Sequence, residues 1–552
     1  MSTLPKVLFL LLGGALVFLA GCEKEEIYEE TRLFRPVLNE PLEAELNTII
    51  VNMGNIRRAN SYTIEVSRDS FASVLYTFES DTNYFIINEE TLNGESLLYA
   101  TLYQVRATAH ADEEVFDSRP SELGDVRTER FPSPLLPPSE GDLLDGRVRV
   151  RWQVVGAPVT YIRVFAGTDE RLTTPLDEFE VDEMAQDSGV FVVNRLSPLT
   201  SYQIAIYSGP NGETLRGWEY YTTTEAAIDL TDPNVIDLSN SNDPDTLTAV
   251  VNAATDGQVI VLQKGVQYNF PADDLDKSIT FRSSSGFGEQ KPVLYTTGNW
   301  NIVPGSTIDH VRFIDVELRG EDYGGDYVFN PNVSDRTVLG ELSFENCIIS
   351  NFRGIIRIRT QMFLGDYIIN NSIVHTIGGY GAITADTDGV GNAAFDNIRF
   401  TNSTFAKMEA FITTRQNAQS VVIDNCTMNE FVNPDGLVFR WRGEDGILSN
   451  VINGITITNS IWGPAWDLGE TGEYAVRGIY DGLENTTFTI TNTYATENFA
   501  FVEGKEIPGF PNQRYNGTAE ELWVAPYDLN FNFEDTGFAG INDAGDPRWR
   551  PF

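Results

Sequence analysis

Arginine alternates with apolar residues in two short segments of this chain, Ile356-Arg357-Ile358-Arg359 and Phe439-Arg440-Trp441-Arg442. Two further segments align with them, Ala382-Ile383-Thr384-Ala385-Asp386 and Phe411-Ile412-Thr413-Thr414-Arg415. Side chains alternate faces along a strand, so inward Ile356 and Ile358 predict outward Arg357 and Arg359. Stacked in register, the four segments give two outward columns: Arg357, Thr384, Thr413, Arg440 and Arg359, Asp386, Arg415, Arg442, with Arg353 nearby. Guanidinium groups pair bidentately with carboxylates, so such a strip suits uronic acids spaced along an anionic polysaccharide. The other open reading is a solvated salt-bridge lattice with Asp386, Glu409, Glu444 and Asp445.

Two further kinds of chemistry are written nearby. In Asp386-Thr387-Asp388-Gly389-Val390-Gly391-Asn392, oxygen ligands at alternate positions and turn glycines make Asp386, Asp388 and Asn392 candidate calcium ligands. Tyr380, Trp462 and Trp466 lie in or beside Gly-rich or Gly-Pro loops and are candidate platforms for pyranose rings, with packing inside the fold as the other open reading. Trp441, between two arginines, is expected in the core.

Something must hold these segments in register, and a recurring asparagine supplies it. Asn346, Asn371, Asn402, Asn425, Asn459 and Asn492 each follow an alternating apolar segment and precede a small residue, as in Leu342-Ser343-Phe344-Glu345-Asn346-Cys347. Successive spacings of 25, 31, 23, 34 and 33 residues belong to a solenoid with variable loops. Period-2 alternation and β-branched residues predict short strands and turns, hence a right-handed parallel β-helix. Coils lie about 4.8 Å apart, so in-register amides are expected to hydrogen-bond along the column. Cys347 and Cys426 share the next column three coils apart, about 14 Å, beyond the roughly 7 Å reach of a disulfide. Both are predicted free and buried.

Acidic residues outnumber basic ones 80 to 38, for a net charge of -42. Nucleic acid is therefore an unsuitable partner, because binding it needs a basic surface. His110, His310 and His375 are scattered without ligand spacing, which speaks against a histidine metal site or a Ser-His-Asp triad.

Lys6, the apolar run Val7 to Phe18 and then Leu19-Ala20-Gly21-Cys22 resemble a bacterial lipoprotein signal. That resemblance implies removal of residues 1–21 and lipidation of Cys22, with 22–32 as a tether. Glu23-Lys24-Glu25-Glu26 resembles a signal that sends lipoproteins to the outer face of the outer membrane. Leu196-Ser197-Pro198-Leu199-Thr200-Ser201-Tyr202 matches a tyrosine corner, and Val148 to Trp152 resembles the strand that carries the tryptophan of fibronectin type III sandwiches. Leu97, Thr101 and Tyr103 form a partial copy. Two such domains are expected, at 33–130 and 131–226, joined by a stiff Pro-rich junction.

Asp245 to Ala254 and the following Asp256-Gly257 turn resemble the capping helix and first strand of pectate-lyase-like β-helices, here 235–552. The tail Asp543 to Trp549 resembles the end of pectate-lyase-like surface lipoproteins of bacterial glycan-utilisation systems. This implies an all-β, lipid-anchored protein facing the cell exterior that binds polysaccharide and works with glycan-uptake machinery. A lyase cleaving a uronic-acid polymer by β-elimination and a structural adhesin are the alternatives. For the lyase, resemblance implies Arg415 or Arg442 as the residue that neutralises or abstracts, sometimes with calcium. No lysine stands one coil earlier in a matching strand.

Overall fold

The computed structural model describes residues 31–129, 131–444 and 447–551. The leader, Cys22 and Asp445 lie outside those residues. The chain falls into two compact units, one containing Val150–Val193, Thr200–Thr222 and what precedes Pro137, the other containing Pro138–Arg149, Asn194–Leu199 and everything from Thr223 onward.

The first unit is built of sandwiches. Glu43–Glu45, Thr48–Asn52 and Tyr84–Ile87 form a three-stranded antiparallel sheet, and Ser61–Ser67, Tyr76–Ser80, Leu102–His110 and Ser121–Arg127 a four-stranded one. Alternation drives the pairing: Ile49, Val51, Ile64, Val66 and Val105 are inward and fully buried. Tyr103 is buried, and its hydroxyl accepts from the Leu98 amide at 2.9 Å, so the partial motif makes a working corner without its proline. In the second sandwich Tyr161–Ala166, Pro175–Glu180, Ser201–Ser208 and Thr214–Thr222 form the larger sheet, with Trp152 and Tyr202 buried. Arg68 holds Glu170 with two hydrogen bonds of 2.7 and 2.8 Å, and Tyr99, Phe131 and Trp218 pack ring against ring. The junction between sandwiches is thus fixed by more than its prolines.

From Val235 to Arg514 the strands pair in parallel, as a β-helix requires, and beyond them Trp523–Ala525 and Asn530–Phe533 form a small antiparallel pair. One inward position runs through ten coils in register: Ile236, Ile260, Phe281, Phe313, Phe344, Ile369, Phe400, Ile423, Ile457 and Ile490. Phe281, Phe313 and Phe344 stack with centroids 5.6 and 5.1 Å apart, because one coil's rise is close to a ring-stacking distance. The open end is covered by the helix Thr246–Ala253, which buries Leu247 and Val251.

The asparagine turns work differently from the expected amide ladder. Asp315, Asn346, Asn371, Asn402, Asn425, Asn459 and Asn492 all have φ between 47 and 57°. Asparagine tolerates this left-handed conformation better than other residues with a Cβ, so the column is selected first by backbone shape. Only some amides bond along it: Asn346 to Asp315 at 3.1 Å and Asn492 to Asn459 at 3.0 Å. Asn402 instead donates to Asn370 and Asn459 to Asp424, one residue aside. The C-terminal tail satisfies others, with Arg548 donating to Asn371 and Arg550 to Asn425.

A more regular ladder, in two runs, belongs to the next column. The Cys347 amide donates to Ser372 Oγ at 2.9 Å, Ser372 to Ser403 at 3.0 Å, and Cys426 to Ser460 at 3.1 Å. Each serine hydroxyl returns a bond to a carbonyl of its own coil, and Cys347 Sγ does the same toward Glu345. Both cysteines are free and buried, and burial pushes the Cys347 thiol up to about 12. Alkylation depends on thiolate, so neither Cys347 nor Cys426 should label in the native protein, and both should label after denaturation without reductant. A peptide linking the two in mass spectra would overturn the register.

Candidate functional site

The arginines sit on a third strand column, on the far side of a second turn. It comprises Tyr327–Phe329, then residues 354–359, 381–385, Ile412–Thr414, Leu437–Trp441 and Ala475–Asp481. Phe329, Ile356, Ile383, Ile412 and Phe439 pair in register and are all fully buried. The neighbours of those residues must therefore point out, and Arg357, Thr384, Thr413 and Arg440 form one register column. Arg359, Asp386, Arg415 and Arg442 follow at the column's edge.

Asp386 is the hub. Its carboxylate accepts from Arg357 at 2.7 Å and from Arg442 at 3.0 Å, with Arg415 Nε at 3.6 Å. Arg415 donates to Asp388 at 2.7 Å, Arg440 to Asp481 at 3.1 Å, and Arg359 to the Asn330 carbonyl at 3.1 Å. Burial pushes the Asp386 carboxyl up, but the Arg357 hydrogen bond and the charges of Arg357, Arg442 and Arg415 outweigh it and hold the group below its ordinary value. Burial, together with the neighbouring Arg440 and Arg415 charges, draws Arg442 below the usual guanidinium value. The lattice expected with Asp386 therefore exists, while Glu409 takes no part in it among the described residues.

Beside the strip lies a cleft of about 530 Å³. Its floor is the strand face, with Thr384, Thr413, Asp386, Arg440 and Arg442, and its wall is made of turns carrying Tyr323, Arg353, Tyr380 and Glu409. Gly378 lets that wall close up, since a Cβ there would sit 2.5 Å from the Tyr323 carbonyl oxygen. Arg353 and Arg357 lie over the Tyr380 ring at 4.8 and 4.3 Å. Of the expected binding residues, Arg353, Arg440, Arg442 and Tyr380 line this cleft. Arg357, Arg359 and Arg415 stand behind or beside it, held by the contacts above.

Trp462 is a correction. It is fully buried between Phe431, Phe499 and Phe510, at centroid distances of 5.3, 5.8 and 4.2 Å, and so presents no face to a glycan. Its strand Ile461–Trp462 pairs with Thr427 and Met428, so the Gly-Pro loop begins only after it. Trp466 is mostly buried too, with its ring 6.1 Å from that of Tyr323. No sequence pattern marks Tyr323 and Glu409 as binding residues, because they belong to turns of irregular length and share no period with the strands.

The calcium reading does not fit the donor set. Asp386 places both oxygens on guanidinium groups, Asp388 Oδ1 accepts from Arg415, and Asn392 Oδ1 accepts from Gln361 at 2.8 Å. Among the described residues no three His, Cys, Asp or Glu side chains group as a metal would require. Lys407 lies in the strand Thr404–Met408, with φ 52°, and its ammonium donates to the Tyr527 carbonyl at 2.7 Å.

A family model described as a domain of unknown function, DUF4957, matches residues 266–408, well under half of the chain. No curated protein matches. Among solved structures, the FN1-FN3 domains of chicken CNTN1 are 16% identical, with a TM-score of 0.17, over 36% of this chain and 68% of that one. A two-domain fibronectin type III segment of chicken tenascin is 17% identical, with a TM-score of 0.16, over 34% of this chain and 97% of that one.

Proposed function

We propose that this cleft binds an anionic, uronic-acid-containing polysaccharide, on a protein that displays it at the cell surface for glycan capture and uptake. The observation that carries the reading is charge placement. On a chain of net charge -42, six arginines crowd one solenoid face against four carboxylates, Asp386, Asp388, Asp481 and Glu409, beside a tyrosine-walled cleft. Structural ion pairs alone would not call for the excess of cations or the aromatic wall. Display at the outer membrane rests on the Leu19-Ala20-Gly21-Cys22 box and the charged residues after it.

Binding is favoured over elimination because the Lys407 ammonium is engaged by the Tyr527 carbonyl and Glu430, and the Asp386 and Asp388 carboxylates are engaged by arginines. Arg442→Ala and Arg353→Ala should each weaken binding to alginate or polygalacturonate by roughly tenfold or more, since charge-assisted hydrogen bonds are worth about 1.5 to 3 kcal/mol. Affinity should also fall as salt rises. Retention of both variants on an acidic-glycan gel at wild-type strength, or binding confined to neutral glycans, would sink the proposal. Absorbance from a new C4-C5 double bond in the same mixtures would instead favour a lyase.

A further inference from the structure

We infer that the cleft selects a heteroglycan in which an acidic sugar sits beside a neutral, hydroxyl-bearing one, and that Glu409 makes the selection. This rests on the reading of the cleft as an anionic-glycan site. The two carboxylates of the strip differ in how their charge is used. Asp386 is saturated by guanidinium donors, whereas the Glu409 carboxylate lines the same cleft with no hydrogen bond or ion pair among the described residues. Arg353 is its cationic counterpart: it makes no ion pair among the described residues, its charge acts on Glu409 from a distance, and its guanidinium rests on the Tyr380 ring.

The cleft therefore offers two unlike ends. Arg440 and Arg442 on the strand floor present donors to a carboxylate, and Glu409 on the turn wall presents acceptors. An ionised carboxylate accepts only, so its complement is a pair of sugar hydroxyls. A second uronate at that place would set like charge against like in a half-buried site, a repulsive element of the kind that creates specificity. Burial raises the Glu409 carboxyl above its ordinary value, with Arg353 opposing, which is the mark of a carboxylate short of donors. The other charged groups facing the cleft are Asp386, Arg440 and Arg442, already paired or on the opposite floor.

The test is calorimetric titration of the protein with oligogalacturonate and with an alternating glucuronate–N-acetylglucosamine oligosaccharide of equal carboxylate number. The alternating ligand should bind at least about tenfold tighter. Glu409→Gln should raise oligogalacturonate affinity about tenfold without raising that of the alternating ligand, and Glu409→Asp, which keeps the charge, should keep the preference. Thermal melts check that both variants fold. An unchanged affinity ratio in Glu409→Gln, or a wild-type preference for oligogalacturonate, overturns the inference while the anionic-glycan reading stands. If neither acidic ligand binds and Arg442→Ala changes nothing, that reading itself falls and takes the inference with it.

Discussion

Replacing Trp462 with alanine should lower stability by about 3 to 5 kcal/mol, the range for removing a large aromatic side chain from a packed core. The ring is fully buried and touches Phe431, Phe499 and Phe510, with the last only 4.2 Å away between centroids. These aromatics come from different coils, so the surroundings cannot collapse into the space without moving strands that are fixed in register. Folded Trp462→Ala should still bind acidic glycan with wild-type affinity, because the side chain does not reach the cleft. Denaturant melts beside gel retention separate the two properties. An unchanged midpoint with lost retention would restore Trp462 as a glycan platform and overturn its placement in the core.

The sequence around this residue leaves packing and glycan contact both open. In Ile461-Trp462-Gly463-Pro464 the glycine and proline draw attention to a loop, yet the strand ends at Trp462 and the loop follows. The neighbouring coil settles the matter, since Met428 pairs with Trp462 and both are buried. Strand columns were legible wherever alternation met a left-handed turn. Asn346 through Asn492 mark φ near 50° at one place per coil, and period-2 alternation then fixes which side chains face in. That is why Arg357, Thr384, Thr413 and Arg440 could be aligned with no structure in hand. The hydrogen bonds of the asparagine amides were not legible, because Asn370 and Asp424, one residue earlier, compete for them. The cleft's other wall was hidden for a related reason. Tyr323 and Glu409 stand on turns whose lengths vary from coil to coil, so no spacing announces that they converge.

Asp386→Asn should destabilise the solenoid by about 2 to 3 kcal/mol at neutral pH while strengthening acidic-glycan binding. The substitution keeps the shape but removes the charge that Arg357, Arg415 and Arg442 share. Breaking a buried ion pair costs about 3 to 5 kcal/mol, and partial exposure of this cluster, 16% for Asp386 and 20 to 27% for its arginines, lowers the figure. The arginine Nε atoms of Arg357, Arg415 and Arg442 already lack acceptors among the described residues, so the cluster has little left with which to compensate. The sign with pH follows from the direction of the shift. Asp386 is held below its unfolded value, so its contribution is fully present above about pH 4 and is lost as pH falls through the folded value. The stability gap between wild type and Asp386→Asn should therefore be constant near neutrality and shrink on acidification. Affinity should move the other way, since the cleft gains one unit of net positive charge and Arg442 is released toward the ligand. Thermal midpoints at neutral and strongly acid pH, with glycan titration at neutral pH, measure both effects. Equal stability at neutral pH, or a gap that persists in strong acid, would show that Asp386 does not hold the strip together.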